Sequence, residues 1–200
     1  GGGQLGRMLA MAAARLGYRI AILDPAKDSP AAQVANIFIH AEYDDPAALR
    51  KLADCSDVIT YEFENVPVCI TRTLSERVSV FPPPDALEAA QDRLTEKIFL
   101  NSAGISTAPF VSVDSDADLA AGLERFSGNG VLKTRRMGYD GKGQRVFRSA
   151  TPESALGAFE AMGNVPLILE GLVPFVREVS VIAARGMDGS VAVYDPVENV

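Results

Sequence analysis

Segments with a helical pattern and segments with a strand pattern alternate along the chain up to about residue 81. The opening stretch "GGGQLGRMLAMAAARLG" predicts a helix that ends at Gly17, and "YRIAILDP" predicts a strand that ends at Asp24. "ANIFIHAEY" and "SDVITYEFE" predict two more strands, and "DPAALRKLA" predicts the helix between them, capped by Asp45 with Pro46 in its first turn. This alternation favours a parallel, doubly wound α/β sheet over residues 1–81. The apolar residues of the first helix share one face: Leu5, Met8, Leu9, Ala12 and Leu16.

Three consecutive prolines in "FPPPD" end this pattern, because proline continues neither a helix nor an internal strand. After them, "DALEAAQDRLTEKIFLNSAG" predicts one helix that closes at Gly104, and "TPESALGAFEAM" predicts another, with Thr151 as its cap and Pro152 in its first turn. "TAPFVSV", "VLKT", "QRVFR" and "PLILE" predict strands, and the last segment predicts a hairpin around the Asp188-Gly189 turn. The second region is therefore expected to be α+β, with antiparallel strands.

Bulk composition argues against several classes of function. The chain has 19 basic and 26 acidic residues, a formal net charge of −7. Binding to nucleic acid or to a membrane surface needs an extended basic face, so neither is expected, and any anion site must be a local pocket. Cys55 and Cys69 are too far apart for a CxxC motif and are expected to be reduced thiols, which favours a cytoplasmic protein. With His40 as its only histidine, the chain has no histidine-rich metal site.

The first glycine loop carries Gly1, Gly3 and Gly6 in the G-x-G-x-x-G spacing, with Asp24 at the end of the next strand. This arrangement fits the fingerprint of a dinucleotide site, in which backbone N–H groups and a helix N-terminus face an anion. A tight turn without a ligand is the alternative. The strand that normally precedes the motif is not in the sequence, which also stops inside an apparent strand at Val200, so we expect a chain trimmed at both ends.

The second glycine loop, "LKTRRMGYDGKGQ", differs because it connects two strands. Gly138, Gly141 and Gly143 would let backbone N–H groups close over a polyphosphate, while Lys133 presents its charge to the same oxygens. The alternative is a solvated hairpin tip. Against that alternative, Lys133 lies in a strand next to the core, where an unpaired charge is costly.

Two acidic residues follow in "LILEGLVPFVREVSVI". Glu170 ends an apolar strand, and the irregular segment after it leaves the main-chain groups of Gly171, Leu172 and Val173 free to bond the edge of a purine. Glu178 begins the next strand and is expected to accept from ribose hydroxyls. The alternative is a pair of ordinary carboxylates at strand ends, which the order of lysine strand, glycine loop and acidic segment disfavours.

Together these stretches resemble the ATP-grasp family, and within it the ribonucleotide synthetases of purine biosynthesis that carboxylate 5-aminoimidazole ribonucleotide. The matching stretches, spread over nearly the whole chain, are "GGGQLGRM", "ILDP", "VITYEFENVP", "QDRLTEK", "GYDGKGQ" and "REVSVIAARG". The resemblance implies a Rossmann-like pre-ATP-grasp domain followed by ATP-grasp subdomains, with the C-terminal part truncated. It also implies that ATP activates bicarbonate to carboxyphosphate, with Mg²⁺ at the phosphates, and that the carboxyl unit passes to the ribonucleotide amine.

The resemblance divides the chain at stated positions. Residues 1–81 would be the Rossmann-like substrate-binding domain, and 82–106 a linker with helices. Residues 107–172 would be the ATP-grasp lid subdomain, and 173–200 the incomplete start of the C-terminal ATP-grasp subdomain. The family's magnesium ligands would lie beyond the position of Val200, so no metal ligand is expected in this chain. The resemblance further implies a cytoplasmic homodimer.

The resemblance also assigns roles to individual residues. Arg93 and Lys133 would be the catalytic residues that contact phosphate. The ATP lid would consist of Gly138, Tyr139, Asp140, Gly141, Lys142, Gly143 and Gln144. The adenine would lie against Glu170, Gly171, Leu172 and Val173, and the ribose against Glu178. The imidazole ribonucleotide would face Gln4, Leu5 and Glu62.

Two other functions remain open at this point. An NAD(P)-dependent oxidoreductase would use Gly1, Gly3, Gly6 and Asp24, but it leaves the second glycine loop without a role. A non-catalytic nucleotide-binding domain is the other alternative.

Overall fold

The computed structural model describes residues 1–138 and 143–199. The elements of its first region are α1 (Gln4–Arg15), β1 (Ala21–Asp24), β2 (Ile37–His40), α2 (Pro46–Asp54), β3 (Val58–Ile59), α3 (Val68–Ser75) and β4 (Ser79–Val80). Those of its second region are α4 (Pro84–Gln91), α5 (Arg93–Ser102), β5 (Phe110–Val113), α6 (Asp116–Arg125), β6 (Gly130–Thr134), β7 (Gln144–Phe147), α7 (Ala158–Ala161), β8 (Leu167–Gly171), β9 (Glu178–Ser180), β10 (Ala183–Arg185), β11 (Val191–Val193) and β12 (Val197–Asn199). No helix in these residues is both long and apolar enough to cross a membrane.

The first region contains parallel strands, as predicted. β1 pairs with β2, and β3 pairs with β4. Within the described residues the two pairs are not hydrogen-bonded to each other. The helices pack on these strands around one core: Leu23, Ile39, Leu49, Leu52, Ile59, Ile70, Leu74 and Val80. The predicted parallel strands are therefore seen as two parallel pairs.

Helix α2 begins and is buried as its sequence predicts. The Asp45 carboxylate accepts hydrogen bonds from the N–H groups of Ala47 and Ala48, at 2.7 and 3.1 Å. Proline occupies the first turn, where its missing N–H has no intrahelical partner to lose. Leu49 and Leu52, one helical turn apart, are both buried in the core.

Helix α1 does not bury the apolar face that its spacing suggests. Leu5, Met8 and Leu16 are exposed, and the buried positions are Gly6 and Ala10. A Cβ atom on Gly6 would lie 2.7 Å from the carbonyl oxygen of Gly1. The small-residue face of α1 thus lets the glycine loop and the 3₁₀ turn Pro30–Gln33 approach closely, and the N–H of Ala31 donates to the Gly2 carbonyl at 2.8 Å.

The single helix predicted before Gly104 is wrong, because Asp92 divides it into α4 and α5. Asp92 has an extended backbone, with φ −128° and ψ 119°. Its side chain accepts from the N–H groups of Leu94 and Thr95, which makes it the N-cap of α5.

In the second region, four described strands form an antiparallel sheet in the order β5-β8-β6-β7. All five residues of β8 are buried. Helices α6 and α7 cover one face of the sheet. The residues packed there are Val113, Leu119, Leu123, Leu132, Phe147, Ala158, Leu167 and Leu169. The opposite face of the same strands carries the polar residues of the site described below.

The helix predicted from Thr151 is also wrong. The chain makes a 3₁₀ turn at Pro152–Ala155, Thr151 forms no side-chain cap, and α7 begins only at Ala158. Gly157 lies between them with φ +71°, a left-handed conformation that interrupts the helical turn. The predicted hairpin is confirmed, because β10 and β11 pair on either side of Gly189, whose φ is +84°.

Candidate functional site

The polar face of the second sheet follows from strand alternation. In the antiparallel register of β6 and β8, Lys133 lies opposite Ile168 and Val131 lies opposite Glu170. Residues directly opposite each other share a face, and so do residues two apart along a strand. Lys133 and Glu170 therefore lie diagonally across one face, whereas Leu132 points to the apolar core on the other.

Two lysines converge on the Glu170 carboxylate. Lys133 Nζ lies 2.9 Å from Glu170 Oε2, and Lys97 Nζ of α5 lies 3.3 Å from Oε1. The exposed fractions of the side chains are 11% for Glu170, 14% for Lys97 and 26% for Lys133. We call these three residues the lysine–glutamate cluster; it holds one negative and two positive charges.

The cluster keeps Glu170 ionised. Burial alone would raise the pKa of this carboxyl, but the hydrogen bond from Lys133 and the charges of both lysines outweigh burial. The pKa of Glu170 is therefore below its ordinary value of 4.5. The cluster retains a net positive charge, which suits it to receive an anion.

A second ion pair fixes the start of α5 next to the glycine loop. Arg135 donates from Nε to Asp92 Oδ1 at 2.9 Å, and its Nη2 lies 2.8 Å from Oδ2. Burial acts to raise the pKa of Asp92, but the bonds from Arg135 and from the helix N–H groups lower it below its ordinary 3.8. Asp92 therefore serves as the cap of α5 and the anchor of Arg135 at once.

Arg93, predicted to contact phosphate, holds the base of the glycine loop. Its Nε donates to the carbonyl of Thr134 at 3.2 Å, and its Nη2 donates to the carbonyl of Gly138 at 2.7 Å. Its backbone N–H donates to the carbonyl of Arg135. These bonds tie the first residues of the loop to α5.

The far end of the loop is fixed by Gly143. Its φ is +67°, and its carbonyl accepts from the N–H of Thr134 at 2.9 Å. Gln144 begins β7 opposite Lys133, so the predicted strand–loop–strand arrangement is confirmed at both ends. The predicted lid residues Tyr139, Asp140, Gly141 and Lys142 lie outside the described residues.

The segment after Glu170 is only partly as expected. The N–H of Gly171 was expected to be free, but it donates to the carbonyl of Pro109 at 2.8 Å, because Gly171 still belongs to β8. Leu172 and Val173 follow the strand end, and Val173 is 49% exposed. Glu178 is exposed in β9 and accepts from Asn199 Nδ2 at 2.8 Å.

The residues predicted to face the ribonucleotide lie around the first glycine loop. Gln4 and Leu5 form the exposed first turn of α1, and Gly3 provides no side-chain cap there. Glu62 follows β3, and its Oε1 would lie 3.1 Å from a Cβ placed on Gly1. The structure therefore brings Glu62 close to the loop.

Asp24 accepts hydrogen bonds from groups of its own chain. Its carboxylate accepts from the N–H of Gly2 at 2.6 Å, from the N–H of Ala26 at 2.8 Å and from the Tyr43 hydroxyl at 3.0 Å. Burial, with the adjacent Asp24 charge, raises the pKa of Tyr43, so this hydroxyl remains a donor. A dinucleotide site needs this acid to accept from ribose hydroxyls, and here Asp24 instead stabilises the loop.

Sequence reasoning missed Lys97, Asp92 and Arg135. Lys97 is one helical turn after Arg93 in the same "QDRLTEK" stretch, and i,i+4 residues share a helix face, so the signal was present. Asp92 and Arg135 are 43 residues apart, and no local pattern joins them.

Within residues 1–138 and 143–199, no group of three or more His, Cys, Asp or Glu side chains is arranged to hold a metal ion. The carboxylates of Glu170 and Asp92 are both engaged with cations. The described residues therefore do not by themselves fit a magnesium site.

Comparison with known proteins agrees with this architecture. Residues 1–91 match the ribonucleotide synthetase preATP-grasp domain, and residues 98–200 match the ATP-grasp domain. The chain belongs to the ATP-grasp family.

Relatives in this family indicate which branch it resembles. The N5-carboxyaminoimidazole ribonucleotide synthase of Brucella melitensis is 60% identical over 200 residues, covering 100% of this chain and 55% of the relative. The crystal structure of N5-carboxyaminoimidazole ribonucleotide synthetase from Thermus thermophilus is 48% identical, with a TM-score of 0.88 over 100% of this chain and 53% of that one. The Aspergillus clavatus enzyme in complex with ADP and 5-aminoimidazole ribonucleotide is 29% identical, with a TM-score of 0.85, over 100% of this chain and 52% of that one. The chain thus spans about half the length of the relatives it matches.

Proposed function

We propose that this chain forms the nucleotide-holding part of an ATP-dependent ligase that carboxylates 5-aminoimidazole ribonucleotide with bicarbonate. The products would be 5-carboxyaminoimidazole ribonucleotide, ADP and phosphate, in purine biosynthesis. The observation that carries the proposal is the convergence of Lys133, Glu170 and both ends of the glycine loop on one face of the second sheet. The acceptor follows from the relatives, one of which was crystallised with ADP and 5-aminoimidazole ribonucleotide.

Lys133 is proposed to bind the phosphates. It is the next-to-last residue of β6, the strand that leads into the loop, and at 26% exposure it is the more accessible of the two cluster lysines. Phosphate oxygens are stronger competitors for an ammonium group than water is, because the hydrogen bonds are charge-assisted. We propose that ATP binding transfers Lys133 from Glu170 to the phosphates, with residues 138–144 as the lid above them.

The adenine is proposed to lie beyond the end of β8, against Glu170, Leu172 and Val173. An ionised Glu170 accepts hydrogen bonds, so it suits the amino group of adenine. The Gly171 N–H already donates to the carbonyl of Pro109. We therefore propose that the main-chain groups of Leu172 and Val173 bond the purine. Glu178 is proposed to hold the ribose.

Arg93 is proposed to act on the phosphates through the loop that it holds. Its guanidinium donates to two loop carbonyls, and closing of the lid would bring this positively charged group near the triphosphate. Gln4, Leu5 and Glu62 are proposed to face the ribonucleotide at the first glycine loop.

The chemistry proposed is two successive transfers. A bicarbonate oxygen attacks the γ-phosphorus of ATP, the bond to the β-phosphate oxygen breaks, and carboxyphosphate and ADP form. The amine of the ribonucleotide then attacks the carboxyl carbon, loses a proton, and phosphate leaves. The contribution of this chain is to hold and orient the nucleotide and to place positive charge where negative charge develops.

Three further features are proposed from the resemblance. Mg²⁺ would accompany ATP and neutralise phosphate charge, and none of the described residues is proposed as its ligand. The protein would be a cytoplasmic homodimer; the free Cys55 and Cys69 suit a reducing compartment. The proposed domains and linker keep the boundaries 1–81, 82–106, 107–172 and 173–200.

Turnover of the whole protein tests the proposal. We expect ADP release from ATP that depends on both bicarbonate and 5-aminoimidazole ribonucleotide, measured with a coupled ADP assay. Omission of either substrate is the control. Saturable NADH binding without ATP binding would support the oxidoreductase instead, and ATP binding without turnover would support a non-catalytic nucleotide-binding domain.

Lys133→Ala is expected to weaken ATP binding by about 1.5–3 kcal/mol, because a charge-assisted contact to phosphate is lost. Isothermal titration of this chain with ATP measures the change. Lys27→Ala removes the same charge from an exposed position outside the site and is expected to leave the affinity unchanged. Equal affinities for the wild type and Lys133→Ala would contradict the phosphate role of Lys133.

A further inference from the structure

Lys97 touches the proposed nucleotide site but takes no part in the roles described above. We propose that Lys97 is a positioning residue that keeps Glu170 ionised and in place when the phosphates of ATP draw Lys133 away. The inference rests on the proposed function for the identity of the anion that competes for Lys133.

The two lysines hold different oxygens of Glu170. Lys133 Nζ lies 2.9 Å from Oε2, and Lys97 Nζ lies 3.3 Å from Oε1. They come from separate elements, since Lys133 belongs to β6 and Lys97 to α5. The departure of Lys133 therefore leaves the contact with Lys97 intact, and Glu170 can exchange one partner for a ligand while it keeps the other.

Lys97 is the more buried of the two lysines. Its side chain is 14% exposed, against 26% for Lys133, and its ammonium lies 5.9 Å from the centroid of the Phe110 ring. Phe110 is paired directly with Glu170 in the ladder of β5 and β8. An ammonium near an aromatic ring gains a cation–π attraction, which stabilises Lys97 where it lies. Lys97 is therefore suited to stay at Glu170, and Lys133 is suited to move to the phosphates.

The electrostatics explain why a fixed cation is needed. In the described chain, the charged groups that face Glu170 are Lys133 from β6 and Lys97 from α5, and β5 contributes only the uncharged Phe110. A buried carboxylate without a cation favours its protonated form, and buried glutamates with pKa values of about 8–9 are documented. Without Lys97, the transfer of Lys133 to phosphate would oblige Glu170 to take up a proton.

The first test needs no nucleotide, because Lys133→Met imitates the departure of Lys133. We expect carboxyl-carbon NMR to find Glu170 ionised near neutral pH in Lys133→Met. We expect it protonated in the double variant Lys97→Met with Lys133→Met, and ionised again when Lys97→Arg replaces Lys97→Met. A Glu170 that stays ionised in the folded double variant would overturn the inference.

The second test follows ATP binding by calorimetry in two buffers of different ionisation enthalpy. For Lys97→Met we expect proton uptake on binding and an affinity that falls with rising pH by up to about tenfold per pH unit. The wild type and Lys97→Arg should show neither effect. A Lys97→Met affinity that is weaker but independent of pH would mean a merely structural lysine and would also overturn the inference. This test decides the matter if the double variant does not fold.

The two tests separate the inference from the proposed function. If the wild type binds no ATP, the proposed function fails, and the NMR comparison still decides whether Lys97 alone keeps Glu170 ionised.

Discussion

Glu170→Ala is expected to lower the free energy of unfolding by about 3 kcal/mol, the lower end of the range for breaking a buried ion pair. The reason is that Lys97 and Lys133 would be left facing each other without a counter-charge, in a site where both are mostly buried. The lower end applies because both lysine side chains keep some contact with water. Urea unfolding followed by circular dichroism measures the change, since the chain contains no tryptophan.

Two control variants distinguish the cost of leaving the two lysine charges unpaired from the cost of lost side-chain packing. Glu124→Ala removes an exposed glutamate from α6 and is expected to cost less than about 0.5 kcal/mol. A triple variant with Lys97→Met, Lys133→Met and Glu170→Leu removes all three charges and is expected to recover most of the lost stability. If the triple variant is as unstable as Glu170→Ala, lost packing rather than stranded charge explains the effect.

The same comparison has a defined pH dependence. The pKa of Glu170 is lowered in the folded protein, so its contribution is fully present above the ordinary value of 4.5. As the pH falls below 4.5 towards the lowered pKa, the contribution is lost. We therefore expect the stability difference between wild type and Glu170→Ala to be constant near neutral pH and to shrink in acid.

Local signals predicted those elements whose start and end depend on neighbouring residues. Asp45 and Pro46 specify the start of α2, and Gly17 and Gly189 take the positive φ that a helix end and a tight turn require. Each of these features is satisfied within a few residues, so a short stretch of sequence contains the necessary information.

The features predicted wrongly are those whose conformation depends on residues far away in the sequence or on close packing. The residues on both sides of Asp92 favour helix, but Asp92 adopts an extended backbone and binds Arg135 of a remote strand. In α1, the spacing of large apolar residues suggested the buried face, but the close approach of Gly1 to Gly6 requires small residues there instead.

The sequence proposes the residues of the candidate site one by one, but it does not predict which of them are in contact. Lys133 and Glu170 were each identified from their strands, and their contact depends on the register of β6 against β8. Sequence patterns do not specify that register. Lys97 was missed because its contact with Glu170 depends on how α5 packs against the sheet. Arg93 bonds the loop base, and its phosphate contact stays a prediction.

Asp92→Ala is expected to have the second large effect, a loss of about 3 kcal/mol in the free energy of unfolding. About 1 kcal/mol comes from the lost N-cap of α5. The remainder comes from Arg135, whose side chain is 23% exposed and would lose both hydrogen bonds to a charged partner. Urea unfolding by circular dichroism again gives the value.

Two variants separate these contributions. Asp45→Ala removes an N-cap that also accepts from two backbone N–H groups, and its carboxylate has no ion pair among the described residues, so it should cost about 1 kcal/mol. Asp92→Asn keeps a good capping residue but removes the charge, so it should fall between wild type and Asp92→Ala. The order of stability should therefore be wild type, Asp92→Asn, then Asp92→Ala.

The consequence for the glycine loop distinguishes Asp92 from an ordinary cap. Arg135 lies between Thr134 and Gly138, whose carbonyls Arg93 binds, so releasing Arg135 should loosen the loop base while the sheet stays folded. Hydrogen exchange of the Thr134 N–H, which donates to Gly143, should accelerate in Asp92→Asn and remain unchanged in Asp45→Ala. If exchange at Thr134 is equal in both variants, the ion pair stabilises α5 alone, and the loop is held by Arg93 without help from Asp92.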